Sequence, residues 1–268
     1  MAFDKEYFNL GYLDTLSYKD TFIHRLDPRI KVIVTFLFIV TVVSFDKYDI
    51  YGLVPFSFFP AMLFAFGDIP VKFILKKILL VSPFAVFVGI FNPLLDTRLM
   101  NDLCGIPVSG GWISFLSIMV KFFLTISSAL LLIATTSFPG VCGGLQKLGL
   151  PDIFVSQMLF LYRYIFVLME ETMRMVRARD MRTFSKKVSG IKVFIHLAGV
   201  LFIRTVEKSE RIYQAMLSRG FNGRIETSRT YQIQAKDLVF AAASLAAFYL
   251  CRRYPVVLIF GDLMKGVL

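Results

Sequence analysis

The chain has 268 residues, 56% of them hydrophobic, with a mean hydropathy of +0.67; an ordinary soluble domain is roughly 45–50% apolar, so a bilayer is the natural solvent here. The formal net charge of +11, from 30 Lys and Arg against 19 Asp and Glu, requires a strongly basic region beside the apolar one. Cys104, Cys142 and Cys251 stand far apart and share no Cys-x-x-Cys spacing, so neither a disulfide framework nor a zinc module is indicated, and they are expected to be small buried apolar residues.

Met1 to Lys19 are mixed polar and aromatic, so no cleavable leader is expected and the first membrane helix must direct insertion. Ile30 to Phe45 is almost wholly apolar and, with its flanks, approaches the roughly 20 residues that cross a bilayer. Asp27-Pro28 before it offers an N-cap carboxylate and a first-turn proline. A polar turn, Asp46 to Asp49, leads to a second apolar stretch, Tyr51 to Phe66, whose Pro55 and Pro60 predict a kinked or re-entrant helix.

Lys72, Lys76 and Lys77 mark a basic loop or helix start that faces the cytoplasm under the positive-inside rule. Ile78 to Leu95 reads as a third span broken by Pro83 and Gly89, and Asp96 to Gly111, with Arg98 its single base, as an outside loop. Trp112 sits where an interfacial aromatic belongs. Ile113 to Thr136 is the clearest span, and its Lys121, deep in an apolar run, is expected to face protein or water rather than lipid.

From Phe138 the glycines and prolines, through Gly149 and Pro151, predict a connector or small helix. Ile153 to Leu168 is apolar, contains Gln157 and Arg163, and runs unbroken into Glu170 to Arg182, predicting one long helix or a bent pair whose far end stands in water. Ser189 and Gly190 separate it from a second long helix, Ile191 to Arg219. Between Glu170 and Arg229 stand thirteen bases against six acids, hence +7 of the chain's +11. Leu238 to Leu250 and Tyr254 to Phe260 flank Arg252 and Arg253, and a single last span with an outside C-terminus is preferred to a hairpin.

The fold class that follows is all-α: a polytopic membrane protein with about five transmembrane helices plus a cytoplasmic pair of long helices. Residues 1–137 form the N-terminal membrane helices, 138–235 the cytoplasmic region and 236–268 the C-terminal membrane helix.

Each charged helix carries an apolar stripe to pack: Ile165, Met169, Met173 and Val176 on the first, Phe202, Val206, Ser209, Tyr213 and Met216 on the second. Glu170 with Arg174 and Glu207 with Arg211 are acid-before-base pairs at i, i+4, worth about 0.2–0.5 kcal/mol each. The stripes must therefore hold the helices in place. Near the helix ends stand Ala178-Arg179-Asp180 and Ser218-Arg219-Gly220. A small residue before each arginine permits close approach, the guanidinium fork suits carboxylates at an interface, and Gly220 is placed to end its helix.

At these residues the chain resembles the transmembrane T component of energy-coupling factor transporters, the CbiQ and EcfT family, marked by two Ala-Arg-Gly-like triplets on coupling helices. Asp180 stands where the first triplet has glycine and Ser218 where the second has alanine, while both arginines remain. His24-Arg25-Leu26-Asp27-Pro28-Arg29 resembles the family's second signature, ahead of the first span. Leu130 to Pro139 and Phe160-Leu161-Tyr162-Arg163-Tyr164 are similar to the CbiQ branch associated with cobalt or nickel uptake. The likeness runs from about Tyr18 to Gly223.

The resemblance implies a non-catalytic scaffold in a bacterial inner membrane, working with ATP-binding subunits (CbiO-like) and a substrate-capture membrane subunit (CbiM-like, with a CbiN-like small subunit). Arg179 and Arg219 would insert into the two ATPases, and cobalamin biosynthesis would be the metal's destination. No Gly-x-x-x-x-Gly-Lys-Ser/Thr run occurs, so another chain must handle ATP. No cofactor, metal site or nucleic-acid partner is indicated: His24 is explained by an interfacial helix start and His196 by a polar contact on an apolar helix face. Two other classes remain. A membrane-embedded lipid-modifying enzyme would need a nucleophile or paired carboxylates beside the arginines, and a self-sufficient channel or carrier rests on Lys121 alone.

Overall fold

The computed structural model describes residues 14–95, 99–103, 106–182, 190–223 and 233–254. The expectations for residues 1–13, Arg98, Cys104, Ser189 and residues 255–260 lie outside these. The chain forms two compact units, one of Asp14–Gly144 with the chain from Tyr231 onward, the other containing Leu145–Thr230.

In the first unit, α1 spans Pro28–Val43. It starts where the sequence placed it: the Asp27 carboxylate accepts from the Arg29 backbone N–H at 2.9 Å and Pro28 fills the first helical position, needing no acceptor. The Tyr51–Phe66 stretch resolves its prolines by a change of helix type, a 3-10 helix over Tyr51–Ser57 running into α2, Phe58–Gly67. Asp68 ends α2 in the left-handed region, φ 48°, and Lys19 Nζ fastens it by donating to its carbonyl oxygen at 2.6 Å and its carboxylate at 2.7 Å.

α3 covers Val71–Gly89, so Lys72, Lys76 and Lys77 lie inside its first two turns and Pro83 does not break it. The break falls at Gly89, where a β-carbon would meet the Phe115 ring at 2.9 Å; glycine lets α3 close on the next long helix. After the short α4, Phe91–Leu95, the expected outside loop contains an antiparallel hairpin, β1 Leu99–Leu103 with β2 Ile106–Ser109. α5, Gly110–Thr135, has 26 residues and is about 39 Å long at 1.5 Å per residue. α6 is Phe138–Lys147 and α9 is Ala235–Arg253.

Side-chain contacts fix the helix directions. Lys31 of α1 donates to the Thr135 carbonyl at the end of α5 (3.0 Å), while Lys121 of α5 donates to the Phe45 carbonyl just past α1, so the two run antiparallel. Asp237 Oδ1 accepts from the Asp27 N–H at 3.0 Å and Arg252 donates to Ser44 Oγ at 3.2 Å, so α9 runs parallel to α1. The core between them is aromatic: Phe38 lies 4.6 Å from Phe59 and 5.4 Å from Phe248, ring centre to ring centre. Lys121 thus faces protein, as its position in an apolar run requires.

In the second unit, α7 is a continuous 31-residue helix, Asp152–Arg182, and α8 spans Ile191–Leu217. Among the described residues, Val71–Pro93, Gly110–Thr135 and Asp152–Arg182 are long and apolar enough to cross a membrane. The protein is an all-α, multi-pass membrane protein.

Candidate coupling site

α7 and α8 cross where Arg204 of α8 donates to Glu171 of α7 at 3.0 Å. On one side of the crossing Ile153, Phe160, Tyr164 and Leu168 face Thr205, Tyr213 and Met216 across a cleft of about 650 Å³. On the other, Arg174, Arg179 and Arg182 face Val193, His196 and Val200. The helices therefore run in opposite senses, and the two arginine triplets lie on opposite sides of the crossing. Counted along the helices at 1.5 Å per residue, Arg179 is about 12 Å beyond Glu171 and Arg219 about 22 Å beyond Arg204.

The crossing corrects one expectation. Crossed helices touch near one point, so the stripes are covered only in part: Met169, Met173, Val176 and Met216 are half-buried, but no residue of α8 is fully buried, and Phe202 is 69% and Tyr213 51% exposed. The same opening leaves His196 exposed in the arginine-lined cleft, where the sequence predicted a polar contact on an apolar face. Of the two acid-before-base pairs, Arg174 meets Glu170 at 2.6 Å, whereas Arg211 donates to the Glu207 backbone carbonyl at 3.3 Å.

At the first triplet Ala178 and Asp180 are exposed and Arg179 half-buried. Asp180, in place of glycine, accepts from Arg179 Nε at 3.0 Å and Nη2 at 2.7 Å on the same oxygen. Such an exposed pair contributes about 0–1 kcal/mol, enough to bias the guanidinium and too little to hold it.

At the second triplet Ser218, Arg219 and Gly220 are all exposed. Gly220 has φ +82°, its N–H reaches the Leu217 carbonyl and the Phe221 N–H the Met216 carbonyl, so the chain reverses with glycine at the left-handed position as predicted. The sequence reading missed how this end is tied down. The Phe221 ring packs 5.8 Å from Phe160 of α7, and Ser156 donates to the Gly223 carbonyl at 3.3 Å. An apolar residue directly after a capping glycine is the signal that pointed there.

The motif before α1 forms the other predicted group. Asp27 is buried and caps α1, Pro28 follows, and Arg25 is exposed and paired through two hydrogen bonds, 2.6 and 2.7 Å, with Asp20, whose carboxyl it holds below the usual range. Leu16 presents a carbonyl to His24 Nε2 at 3.0 Å, so that nitrogen carries the proton and Nδ1 accepts from Thr21 Oγ1 at 2.7 Å. Burial, with Lys31 nearby, pushes the His24 pKa down and keeps the ring neutral. His24 and Asp27 thus serve the helix start. Among the described residues no three His, Cys, Asp or Glu side chains are grouped to hold a metal ion.

A multi-pass helical membrane unit and a unit of two long, charged, crossed helices define the class by architecture: a polytopic helical membrane protein. The family described as cobalt transport protein, CbiQ, matches residues 19–231, and the chain belongs to it. It is 28% identical over 243 residues to an energy-coupling factor transporter transmembrane protein EcfT of Leuconostoc gelidum, covering 84% of this chain and 89% of that one. An EcfT protein of Ruminiclostridium cellulolyticum is 25% identical over 229 residues, 80% of this chain and 85% of the relative. A putative fused cobalt transport protein CbiMQ of Methanocorpusculum labreanum is 37% identical over 90 residues, 33% of this chain and 15% of that protein. The chain is accordingly an energy-coupling transmembrane component of an energy-coupling factor transporter, and its family implies partnership with ATPase subunits and a substrate-binding membrane component.

Proposed function

We propose that this chain transmits ATP-driven motion from two CbiO-like ATPase subunits to a CbiM-like capture subunit, for the uptake of cobalt or nickel ions, with Arg179 and Arg219 as the docking groups. The observation that carries the reading is the crossed pair itself: it presents one arginine triplet on each side of its crossing, separated as two copies of a partner would require. On docking, Arg179 exchanges the Asp180 carboxylate for an acceptor on the ATPase, while the glycine turn at Gly220 leaves the Arg219 side chain unobstructed. The +7 of this region supports a cytoplasmic placement at a bacterial inner membrane. We keep residues 138–235 as its extent, between membrane helices in 1–137 and 236–268. The CbiN-like small subunit and a supply of metal to cobalamin synthesis belong to the same proposal. A channel of its own is disfavoured because Lys121, the charge on which that reading rests, is taken up by the Phe45 and Asp46 carbonyls.

The test replaces Arg179 and Arg219 together by glutamate in the full complex. ATPase copurification is expected to fall sharply, since removing one partner of a charged pair at a desolvated interface costs about 2–5 kcal/mol, while membrane insertion stays intact. A double variant that copurifies and transports like the parent refutes the docking roles.

A further inference from the structure

Where α1, α2, α5 and α9 meet, the packing leaves a cavity of about 10 Å³. Part of its wall is polar, formed by Lys31 and Thr35 of α1 and Thr135 of α5, and Phe59 and Leu63 of α2 with Phe240 of α9 supply an apolar part. All six residues are buried, and all belong to the unit of membrane helices. An apolar cavity stays dry, whereas one of roughly 10–15 Å³ that offers two or more hydrogen-bonding groups takes up a single water molecule.

The polar groups at this junction are short of partners. The Lys31 ammonium carries three N–H groups, and among the described residues the acceptor it reaches is the Thr135 carbonyl, at 3.0 Å. Asp27 and Asp237 compensate its charge through the electrostatic field rather than as hydrogen-bond acceptors. The Thr135 hydroxyl is already used, donating to the Leu131 carbonyl at 2.8 Å. Thr35 follows Lys31 by four residues, so its side chain stands beside the lysine stem on one face of α1. The adjoining Thr136 hydroxyl and one Asp27 carboxylate oxygen are buried without a partner among the described residues. Protein atoms alone therefore do not satisfy the junction, and a buried charged donor without an acceptor is a costly arrangement.

We propose that this cavity is a binding site for one water molecule, which accepts from Lys31 Nζ and donates to the Thr35 hydroxyl oxygen. The water restores part of the hydration that the lysine loses on burial, and so lets an ammonium stand against Phe59 and Phe240. The room admits one water and no larger ligand. The site is independent of whether Arg179 and Arg219 dock ATPases.

Two measurements on the full chain in nanodiscs test the site. Brief X-ray radiolysis makes hydroxyl radicals from water where it stands, so buried side chains that touch an internal water are oxidised and those packed dry are spared. Phe59 and Leu63 line the cavity, whereas Phe38 and Leu53, buried in the same unit, do not. Oxidation of Phe59 and Leu63 is expected to run several-fold faster than that of Phe38 and Leu53, and to fall to their level in Thr35→Ile, whose additional methyl group fills the cavity. Equal rates in the parent, or fast oxidation of Phe59 and Leu63 that survives Thr35→Ile, overturns the site. The second measurement reads the sign of a change in Tm. Thr35→Val keeps the shape of the side chain and exchanges its hydroxyl for a methyl. In a dry cavity that exchange takes a buried hydroxyl off an apolar wall and raises Tm; with a water bridging to Lys31 it deletes one of the water's hydrogen bonds and lowers Tm. A fall of a few degrees is expected. A Tm equal to or above that of the parent overturns the bridge.

Discussion

Replacing Lys31 by methionine tests the buried charges that bind three helices together. Lys31 is 4% exposed, Asp27 3% and Asp237 2%. The lysine donates to Thr135 and interacts electrostatically with both carboxylates, while Asp237 accepts from the Asp27 N–H at 3.0 Å and the Gln234 N–H at 2.8 Å. Methionine preserves most of the volume and removes the charge, leaving two carboxylates facing one another's field with only Arg29, whose Nε lies 3.8 Å from Asp27 Oδ1. The loss is that of a buried hydrogen bond donated by a charged group, about 1.5–3 kcal/mol. At roughly 2–4 °C per kcal/mol for a chain of this size, Tm in detergent should fall by about 3–12 °C. The decisive comparison is a double-mutant cycle with Asp237→Asn: the double variant should recover part of the loss, because neutralising Asp237 removes the charge that Lys31 was offsetting. A Lys31→Met variant as stable as the parent, or a cycle in which the two losses simply add, would refute the interlock.

Gly220→Val places a β-branched residue at φ +82° and should cost about 1–3 kcal/mol locally, read as faster amide exchange in the last turn of α8 and weaker ATPase binding; an unchanged exchange pattern would show that the left-handed cap is dispensable. For His24 the folded pKa lies below the ordinary value of 6.5, so between these two values the unfolded chain holds a proton that the folded chain does not. Stability should therefore rise as pH increases through that window and level off above 6.5, with a slope of at most about 1.4 kcal/mol per pH unit. His24→Asn should flatten this part of a Tm-against-pH profile, and a parent profile without the slope would contradict the buried neutral ring.

Much of the fold was legible because its signals are local. Asp27-Pro28 announced the start of α1, the unbroken run from Ile153 to Arg182 announced α7, and Gly220 announced the end of α8. Where the reading slipped, two readings of one local pattern competed. Lys72, Lys76 and Lys77 allowed a loop or a helix start, and the helix is what formed: lysine is a good helix former, and its long stem lets the charge sit in a helix near a membrane surface. The Leu99–Ser109 hairpin was hidden by glycine, proline and acidic residues that also mark loops. The candidate site was legible as residues and not as an arrangement. Nothing in the spacing of Glu171 and Arg204 reveals that they meet, and that one contact decides that the helices cross, leaving Phe202 and Tyr213 bare. Pairs such as Asp27 with Asp237 or Lys31 with Thr135 join positions that no periodicity connects.

The bond from Asp237 to the Asp27 N–H spans 210 positions of sequence. At a synthesis rate of about 5–20 residues per second, the first helix must wait on the order of 10–40 seconds after it emerges before its carboxylate partner exists. Until then Lys31 has only half its counter-charge and α1 lacks its aromatic neighbour Phe248. A ribosome that stalls after delivering the arms leaves a product whose earliest membrane helix still lacks its Asp237 and Phe248 contacts, so the packing around α1 is completed last.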